Sequence, residues 1–529
     1  MCDEADPGGG IVDECQAEDA GGQRIPFVRW LGLLGAPLLA VVVYLLIPAA
    51  RFEADGKIAA GLTQPGRAVA AVGILMAVLW VTEALPIPVT ALIPMVLFPL
   101  ATFGVVDVKA AAAPYANDLI FLFMGGFLLA QAMQRWGLHR RIALHTILLV
   151  GTRPAGVVAG FMLASGFLSM WVSNTATVVM MLPIALSVIE LVRQELARRN
   201  DPQLPPRGAP FHFAICLLLG TAYAASIGGI ATLIGTPPNA MLAAYVGKTF
   251  NIQISFVRWM MIGVPLAAVL LPLTWLLLTR IVYPIRLRQI PGGRELIARE
   301  LQRQGPMTRA EAAVLVVFVL TAVGWITRPW LAAIRVGDSF QPLAGLSDSG
   351  IAVAAAVVLF ACPIYPGKGE FLLTWRQART LPWGVLLLFG GGLSLAEAVK
   401  LTGVAEFIGH GVSGLHGWSV ALLVLLVITL IVFLTELTSN TATTATLLPI
   451  LGPAAVGLGL SPLLFVVPMT IGASCAFMMP VGTPPNAIVF SSGELKIWQM
   501  CKAGFWLNLI SIAVIFALTY LFAGPLLGQ

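Results

Sequence analysis

LSMWVSNTATVVMMLPIAL (168–186) and FLTELTSNTATTATLLPIL (433–451) share five residues, SNTAT, at Ser173–Thr177 and Ser439–Thr443. Each copy places hydroxyl and amide side chains in the middle of a stretch that is otherwise apolar. What those groups do depends on the solvent around them, and composition identifies that solvent. Of 529 residues, 58% are hydrophobic and only 11% charged, with a mean hydropathy of +0.90. A soluble domain carries roughly 25% charged residues. Apolar runs such as 31–50 and 421–437 approach or reach the ~20 residues that cross ~30 Å of hydrocarbon. The chain therefore reads as an all-α polytopic membrane protein. Alternating ~10-residue strands with a polar lumen face are absent, which argues against a β-barrel.

The net charge of +6 fits membrane topology better than nucleic-acid binding. Its arginines lie in loops between apolar runs, and no basic, aromatic-interleaved domain is present to read bases. Cys2, Cys15, Cys216, Cys362, Cys475 and Cys501 are scattered without CxxC spacing, against a disulfide framework or a zinc or iron–sulfur site. Residues 1–27 are acidic and Gly-rich, lack the basic start of a signal peptide, and read as a disordered cytoplasmic tail.

The two SNTAT copies lie 266 positions apart. The same offset aligns FLFMGGFLLAQAM (121–133) with LLFGGGLSLAEAV (387–399), matching Gly125 to Gly391 and Ala130 to Ala396. A third pair, IGTPPNA (234–240) and VGTPPNA (481–487), is offset by 247, and the first half holds the extra polar segment 193–208. Three motif pairs in one order indicate an internal duplication, with halves at 28–283 and 309–529 joined by a basic linker, 284–308.

Positive charge then assigns sides. The linker carries Arg286, Arg288, Arg294, Arg299, Arg303 and Arg309 at or beside it and is placed in the cytoplasm. Arg135, Arg140, Arg141 and Arg153 precede the first SNTAT; Arg193, Arg198, Arg199 and Arg207 follow it. A segment with both flanks on one side has not crossed, so 154–192 is expected to form a re-entrant hairpin. Around the second copy Lys and Arg are nearly absent apart from Lys400, and the hairpin 412–460 is expected on the outer face. The halves are then inverted, with about eleven transmembrane helices plus the two hairpins and the N-terminus inside. Inverted repeats with polar breaks point to a secondary transporter whose site lies near the midplane. Non-helical backbone there must face protein or a water-filled cavity, because lipid satisfies no hydrogen bonds.

Hydroxyl, amide and backbone oxygens at an SNT break suit a hard cation such as Na+, while the N–H groups opening the next half-helix suit a carboxylate. Ser and Thr can instead bond back to their own helix, but matched copies in both halves favour a site. Pro183 and Pro449 close the two motifs. In GTPPN, glycine permits unusual backbone angles and two prolines remove successive donors, so the stretches 227–240 and 475–487 are expected to be unwound. Freed carbonyls there are costly unless they coordinate something. Neither motif contains Arg, Lys or His, so an anion bound there relies on hydroxyls, helix ends and co-bound cations. Glu83, Glu397 and Glu436 are the acids within apolar stretches. Glu397 and Glu436 face Gln131 and Met170 in the first half, which favours packing roles over a proton relay.

Paired SNT motifs, each followed by GTPPN, resemble the divalent anion/sodium symporter (DASS) family, whose members carry dicarboxylates, citrate or sulfate. The resemblance covers the chain from about residue 30 onward. It implies a homodimeric elevator-type transporter in which a mobile domain holds both hairpins. It further implies two Na+ sites, the first from Ser169, Ser173, Asn174 and Gly235, the second from Thr435, Ser439, Asn440 and Gly482. Substrate carboxylates would meet Asn174, Thr175 and Thr236 from one half, and Asn440, Thr441, Thr483 and Pro484 from the other. The expected activity is Na+-coupled symport of a C4-dicarboxylate (succinate, malate or fumarate). A sodium-independent exchanger and a citrate or sulfate carrier are the rivals within the class.

An intramembrane enzyme would need a nucleophile–base pair or metal ligands. His139, His145, His212, His410 and His416 show no ligand spacing. A channel would need a continuous pore rather than a cavity closed by two hairpins. The expected location is the plasma membrane, and the 24 arginines against 7 lysines hint at a GC-rich bacterial gene.

Overall fold

A computed structural model describes residues 27–52, 58–100, 104–150, 153–198, 210–287, 293–335, 340–365, 367, 369–412, 414 and 417–523. The acidic tail through residue 26, residues 199–209 and 288–292, and His416 lie outside them. The described chain is helical apart from two antiparallel two-stranded hairpins, β1 (Arg51–Phe52) with β2 (Ile58–Ala60) and β3 (Pro363–Tyr365) with β4 (Glu370–Phe371).

The first half opens with α1 (Phe27–Leu46) and α2 (Gln64–Thr82), which pack side by side. Helix α2 begins at Thr63, whose hydroxyl accepts from Gly66 N, and ends at Glu83, in the left-handed region at φ 47°. After short helical turns come α3 (Asp118–Arg135) and α4 (Leu138–Val150). The first SNT region then forms α5 (Pro154–Ser169) and α6 (Asn174–Arg198). It is followed by α7 (His212–Ile230), the GTPPN helix α8 (Pro237–Phe250) and α9 (Phe256–Leu276).

Helix α10 (Gly293–Arg303) lies in the basic linker. The second half contains α11 (Arg309–Ala332), α12 (Asp348–Ala361), α13 (Trp383–Leu401) and α14 (Val404–Gly411). Then come α15 (Val420–Leu434) and α16 (Asn440–Gly457), broken at the second SNT. Helix α17 (Leu463–Ala473), the GTPPN helix α18 (Pro484–Ser491) and α19 (Ile497–Ala523) complete the described chain.

Among the described residues nine helices are long and apolar enough to cross a membrane, and shorter apolar helices include α5, α12, α15 and α17. Helix α6 is one of the nine, so length alone does not separate a hairpin arm from a span. Helices α7 and α17 are hydrophobic on every side, the signature of a helix with no solvent-facing stripe, and both are buried along almost their whole length.

Packing around those two helices follows one scheme twice. Helix α7 packs against α5, α6 and α9, and α17 packs against α15, α16 and α19. The GTPPN helices cross over: α18 packs against α6 and α7 of the first half, and α8 packs against α16 and α17 of the second. Close approach needs glycine at the tightest crossing. A Cβ on Gly228 of α7 would stand 2.1 Å from the Gly166 carbonyl oxygen of α5.

A buried ion pair fastens α4 to α11. Arg141 Nε and Nη2 bond Glu311 Oε1 and Oε2 at 3.0 and 3.1 Å, and Arg141 also donates to the Gly305 carbonyl at 3.0 Å. Glu311 closes the Thr308 capping box as well, accepting from Thr308 N at 2.7 Å. Removing one partner leaves the other charge buried, typically ~3–5 kcal/mol, whereas an apolar replacement of both is close to neutral. Arg141→Ala is therefore expected to lower the thermal denaturation midpoint in detergent, and Arg141→Met with Glu311→Leu to recover most of the loss. A double variant as unstable as Arg141→Ala would count against this account.

Candidate functional site

Both SNT motifs occupy a helix–break–helix turn, and the breaks are built alike. Between α5 and α6, Ser169 Oγ lies 2.5 Å from Asn174 Oδ1. Between α15 and α16, Thr435 Oγ1 lies 2.8 Å from Asn440 Oδ1 and 2.9 Å from the Ala473 carbonyl oxygen. Ser169 and Thr435 are fully buried, while Ser173, Asn174, Ser439, Asn440 and Thr441 are half-buried and Thr175 is exposed. In the first break Asn174 Oδ1 accepts from the Ser169 hydroxyl, and in the second Asn440 Oδ1 and the Ala473 carbonyl share the Thr435 hydroxyl. An oxygen-only, acceptor-rich cluster suits a hard cation.

Asn174 and Asn440 are the first residues of α6 and α16, so each stands where unpaired N–H groups and the positive end of the helix dipole face outward. Ser173 caps α6 by accepting from Ala176 N at 3.3 Å. Helices α6 and α16 run on through Pro183 and Pro449. The breaks therefore end at Ser173 and Ser439, and these prolines do not close the motifs. A proline interrupts only its own i→i−4 bond.

The GTPPN prolines have an equally local effect. Pro237–Pro238 and Pro484–Pro485 form the first turns of α8 and α18, where the missing N–H would be unsatisfied anyway. The non-helical backbone lies before them, at 231–236 and at 474–483. Thr236 and Thr483 are the buried N-cap residues, Thr483 Oγ1 accepting from Asn486 N at 3.3 Å; Gly235 and Gly482 are buried, and Pro484 is exposed.

The carbonyls freed by these interruptions find partners in a matched way. Asn239 Nδ2 donates to the carbonyls of Gly229 (3.1 Å), Ile230 (3.3 Å) and Thr232 (2.7 Å). Asn486, at the equivalent position, donates to Ala476 (3.1 Å) and Met479 (3.0 Å). Trp259 Nε1 adds a bond to Ile230 O at 2.8 Å, and Tyr223 Oη one to Phe477 O at 2.7 Å. Asn239 and Asn486 are site-building residues that the sequence reading did not single out. The signal for them was present, since the same asparagine closes both GTPPN copies.

Each interruption abuts the SNT turn of its own half. Thr232 Oγ1 donates to Met170 O at 2.5 Å, and Gly235 N donates to Thr232 Oγ1 at 3.1 Å. A Cβ on Gly229 would stand 2.5 Å from Asn174 Oδ1, and one on Gly235 would stand 2.4 Å from Gly229 O. In the second half Glu436 makes the connection: it accepts from Phe477, Met478 and Met479 N, and a Cβ on Gly482 would lie 3.2 Å from its Oε2. Glu397 is remote from this role, pairing with Lys248 at 3.3 Å. Cross-packing of α6 with α18 and of α16 with α8 assembles both halves into one body.

Comparison with known proteins identifies the family. The family profile described as "Sodium:sulfate symporter transmembrane region" matches residues 28–528. The chain is 42% identical over 499 residues to the "Sodium-dependent dicarboxylate transporter SdcS" of Staphylococcus saprophyticus, covering 94% of this chain and 92% of that protein. It is 42% identical over 461 residues to SdcS of Staphylococcus aureus strain USA300, with 87% and 86% covered. Two solved structures share the fold at low identity. The YdaH transporter of Alcanivorax borkumensis gives a TM-score of 0.54 at 15% identity, over 95% of this chain and 99% of that one. MtrF of Neisseria gonorrhoeae gives 0.55 at 13%, over 94% and 95%. With residues 28–528 matched by the family profile and 42% identity to a named sodium-dependent dicarboxylate transporter over 94% of its length, the chain belongs to the divalent anion/sodium symporter family.

Proposed function

We propose that this protein is a secondary active transporter, not an enzyme, that couples Na+ entry to uptake of a C4-dicarboxylate such as succinate, malate or fumarate. One observation carries the reading: two acceptor-rich clusters, Ser169 with Asn174 and Thr435 with Asn440, stand at matched helix breaks. The sodium-dependent dicarboxylate transport in the names of the 42% identical relatives supports it.

In this reading Na+ is held in the first half by Ser169, Ser173, Asn174 and the backbone at Gly235, and in the second by Thr435, Ser439, Asn440 and the backbone at Gly482. The substrate carboxylates take Asn174, Thr175 and Thr236 on one wall, and Asn440, Thr441, Thr483 and Pro484 on the other. Four helix N-termini (α6, α8, α16 and α18) begin at these residues, so the free N–H groups of α6 and α16 and the dipoles of all four favour the dianion. SNTAT and GTPPN contain no cationic side chain. Bound Na+ then supplies the positive charge, and substrate and cation raise each other's affinity reciprocally.

The doubled packing scheme and crossed GTPPN helices support two inverted repeats with 154–192 and 412–460 as re-entrant hairpins. Helices α5–α8 and α15–α18 pack as a single body, which suits an elevator in which that body slides against α2 and α13. Such a stroke breaks the Lys248–Glu397 pair (3.3 Å) and the bond from Lys400 Nζ to Thr249 O (2.8 Å) that join α8 to α13. Exposed Val316, Val319, Leu320 and Val323 on α11 offer an apolar surface for lipid or a second copy in a homodimer. The arginine-rich linker supports a plasma-membrane protein, bacterial inner membrane included, with its N-terminus in the cytoplasm.

The test is radiolabelled succinate uptake into proteoliposomes. An inward Na+ gradient is expected to raise the initial rate at least ~tenfold over K+. Uptake indifferent to Na+ but dependent on preloaded succinate would mean an exchanger. Uptake of citrate or sulfate in its place would move the substrate class.

A further inference from the structure

The two SNT turns differ in what lies behind them. Glu436, next in the chain to Thr435, is 3% exposed, and its first-half equivalent is Met170. Its carboxylate lies in a cradle of donors. Phe477 N donates to Oε1 at 2.7 Å, Met478 N to both oxygens at 2.9 and 3.0 Å, and Met479 N to Oε2 at 3.0 Å. Asn508 Nδ2 adds a bond to Oε1 at 2.7 Å. Three successive amides form an anion-binding concavity of the kind that holds a phosphate. The N–H donors on every side favour the charged carboxylate, which has only acceptors to offer.

Among the described residues every partner of this carboxylate is neutral, and no ion pair joins it to Lys, Arg or His. A charge within apolar surroundings without a counter-ion is costly. The loop assigned to the second Na+ site lies beside it, since Glu436 Oε2 is 3.2 Å from where a Cβ on Gly482 would sit, and Glu436 follows Thr435 in the chain. In the first half the corresponding loop is held by the neutral Thr232 hydroxyl bonded to Met170 O.

We propose that Glu436 is a positioning residue that makes the second Na+ site the tighter of the two and the first to fill. Its amide cradle fixes the loop 474–483 while its charge attracts the cation to Thr435, Ser439, Asn440 and the backbone at Gly482. The first site has a matched acceptor cluster but no acid, so it fills at higher Na+. This inference rests on the paired-site reading above.

The experiment is thermal stabilisation of the purified full chain in detergent, titrated with NaCl at constant ionic strength against choline chloride, without substrate. Ligand binding to the folded state stabilises it by RT ln(1 + c/Kd) at Na+ concentration c, so the concentration at which the denaturation midpoint begins to climb gives the midpoint of the tighter site. Glu436→Gln is expected to shift the tight Na+ midpoint upward by on the order of tenfold or more. Asn440→Ala is expected to abolish the tight phase, and Asn174→Ala to leave it in place. Glu436→Asp keeps the charge and disturbs the cradle, so it should stay within about threefold of wild type.

If Glu436 merely fastened the loop, Glu436→Gln would lower the Na+-free midpoint and leave the Na+ dependence within twofold of wild type. That result would overturn the proposal. A tenfold weakening in Glu436→Asp would overturn it equally, even if Glu436→Gln failed to fold. If neither Asn174→Ala nor Asn440→Ala changed the Na+ response, the paired-site reading itself would fall.

Discussion

Asn440→Ala and Asn174→Ala are each expected to cut Na+-driven succinate uptake by about two orders of magnitude while leaving folded protein. The size follows from what each amide does. A hydrogen bond to a charged partner is worth ~1.5–3 kcal/mol, and ~1.4 kcal/mol is tenfold in an equilibrium constant. In the proposed site each asparagine serves both a cation and a carboxylate, so two such contacts disappear together. Truncation of Asn174 also strands the buried hydroxyl of Ser169, which bonds Asn174 Oδ1 at 2.5 Å, whereas Thr435 loses its 2.8 Å bond to Asn440 Oδ1 but keeps the Ala473 carbonyl. Folding should survive, because both asparagines are half-buried first residues of helices and neither lies in the apolar core. The check is initial-rate uptake normalised to protein that elutes as a single species. Near-wild-type uptake in one variant and loss in the other would mean that a single half forms the site.

Gly229→Ala is expected to weaken the Na+ coupling of uptake sharply, although the mutated residue is not one of the proposed substrate contacts. Its Cβ would stand 2.5 Å from Asn174 Oδ1 and 3.1 Å from Asn174 Nδ2. Those atoms end a side chain that can move, so the helix tolerates the methyl group. The movement, however, takes the amide away from its cation. Gly482→Ala is the control: its nearest neighbours lie at 3.2–3.3 Å, a gap that a few tenths of an ångström relieve. We expect the Na+ concentration for half-maximal uptake to rise at least ~tenfold in Gly229→Ala, since a misplaced ligand forfeits about 1.4 kcal/mol or more. In Gly482→Ala it should rise less than about threefold. Equal effects at the two glycines would show that Asn174 does not need its observed position.

Most of the site was legible because its parts are local and written twice. A polar five-residue motif in an apolar stretch, its duplicate 266 positions later and the GTPPN pair locate both helix breaks without any tertiary knowledge. The hydroxyl four residues before each SNT (Ser169, Thr435) points back to the asparagine that opens the next helix. Proline was harder to read. Two adjacent prolines remove donors anywhere in a helix, and only the observed start of α8 and α18 at Pro237 and Pro484 shows that they fall in the first turn.

What satisfies the freed backbone was not legible, because the partners come from far away. Trp259 serves Ile230, Tyr223 serves Phe477, and Asn508 reaches Glu436 across 72 positions. The reading of Glu436 as a packing residue rested on its having no acidic counterpart. That same asymmetry becomes informative once its carboxylate is seen in the cradle of 477–479 amides. Nor could sequence show that each GTPPN helix packs on the other half, since helix pairing depends on three-dimensional fit that no local pattern encodes.

The central claim is that the two halves supply opposite walls of one Na+-coupled site. Electron cryo-microscopy of the protein in lipid nanodiscs with Na+ and succinate tests it most directly. Substrate density is expected between the starts of α6 and α16, with Asn174 and Asn440 both within hydrogen-bond distance of its carboxylates and ion density beside Ser169 and Thr435. Succinate bound by one SNT motif alone, or bound away from both helix breaks, would contradict it.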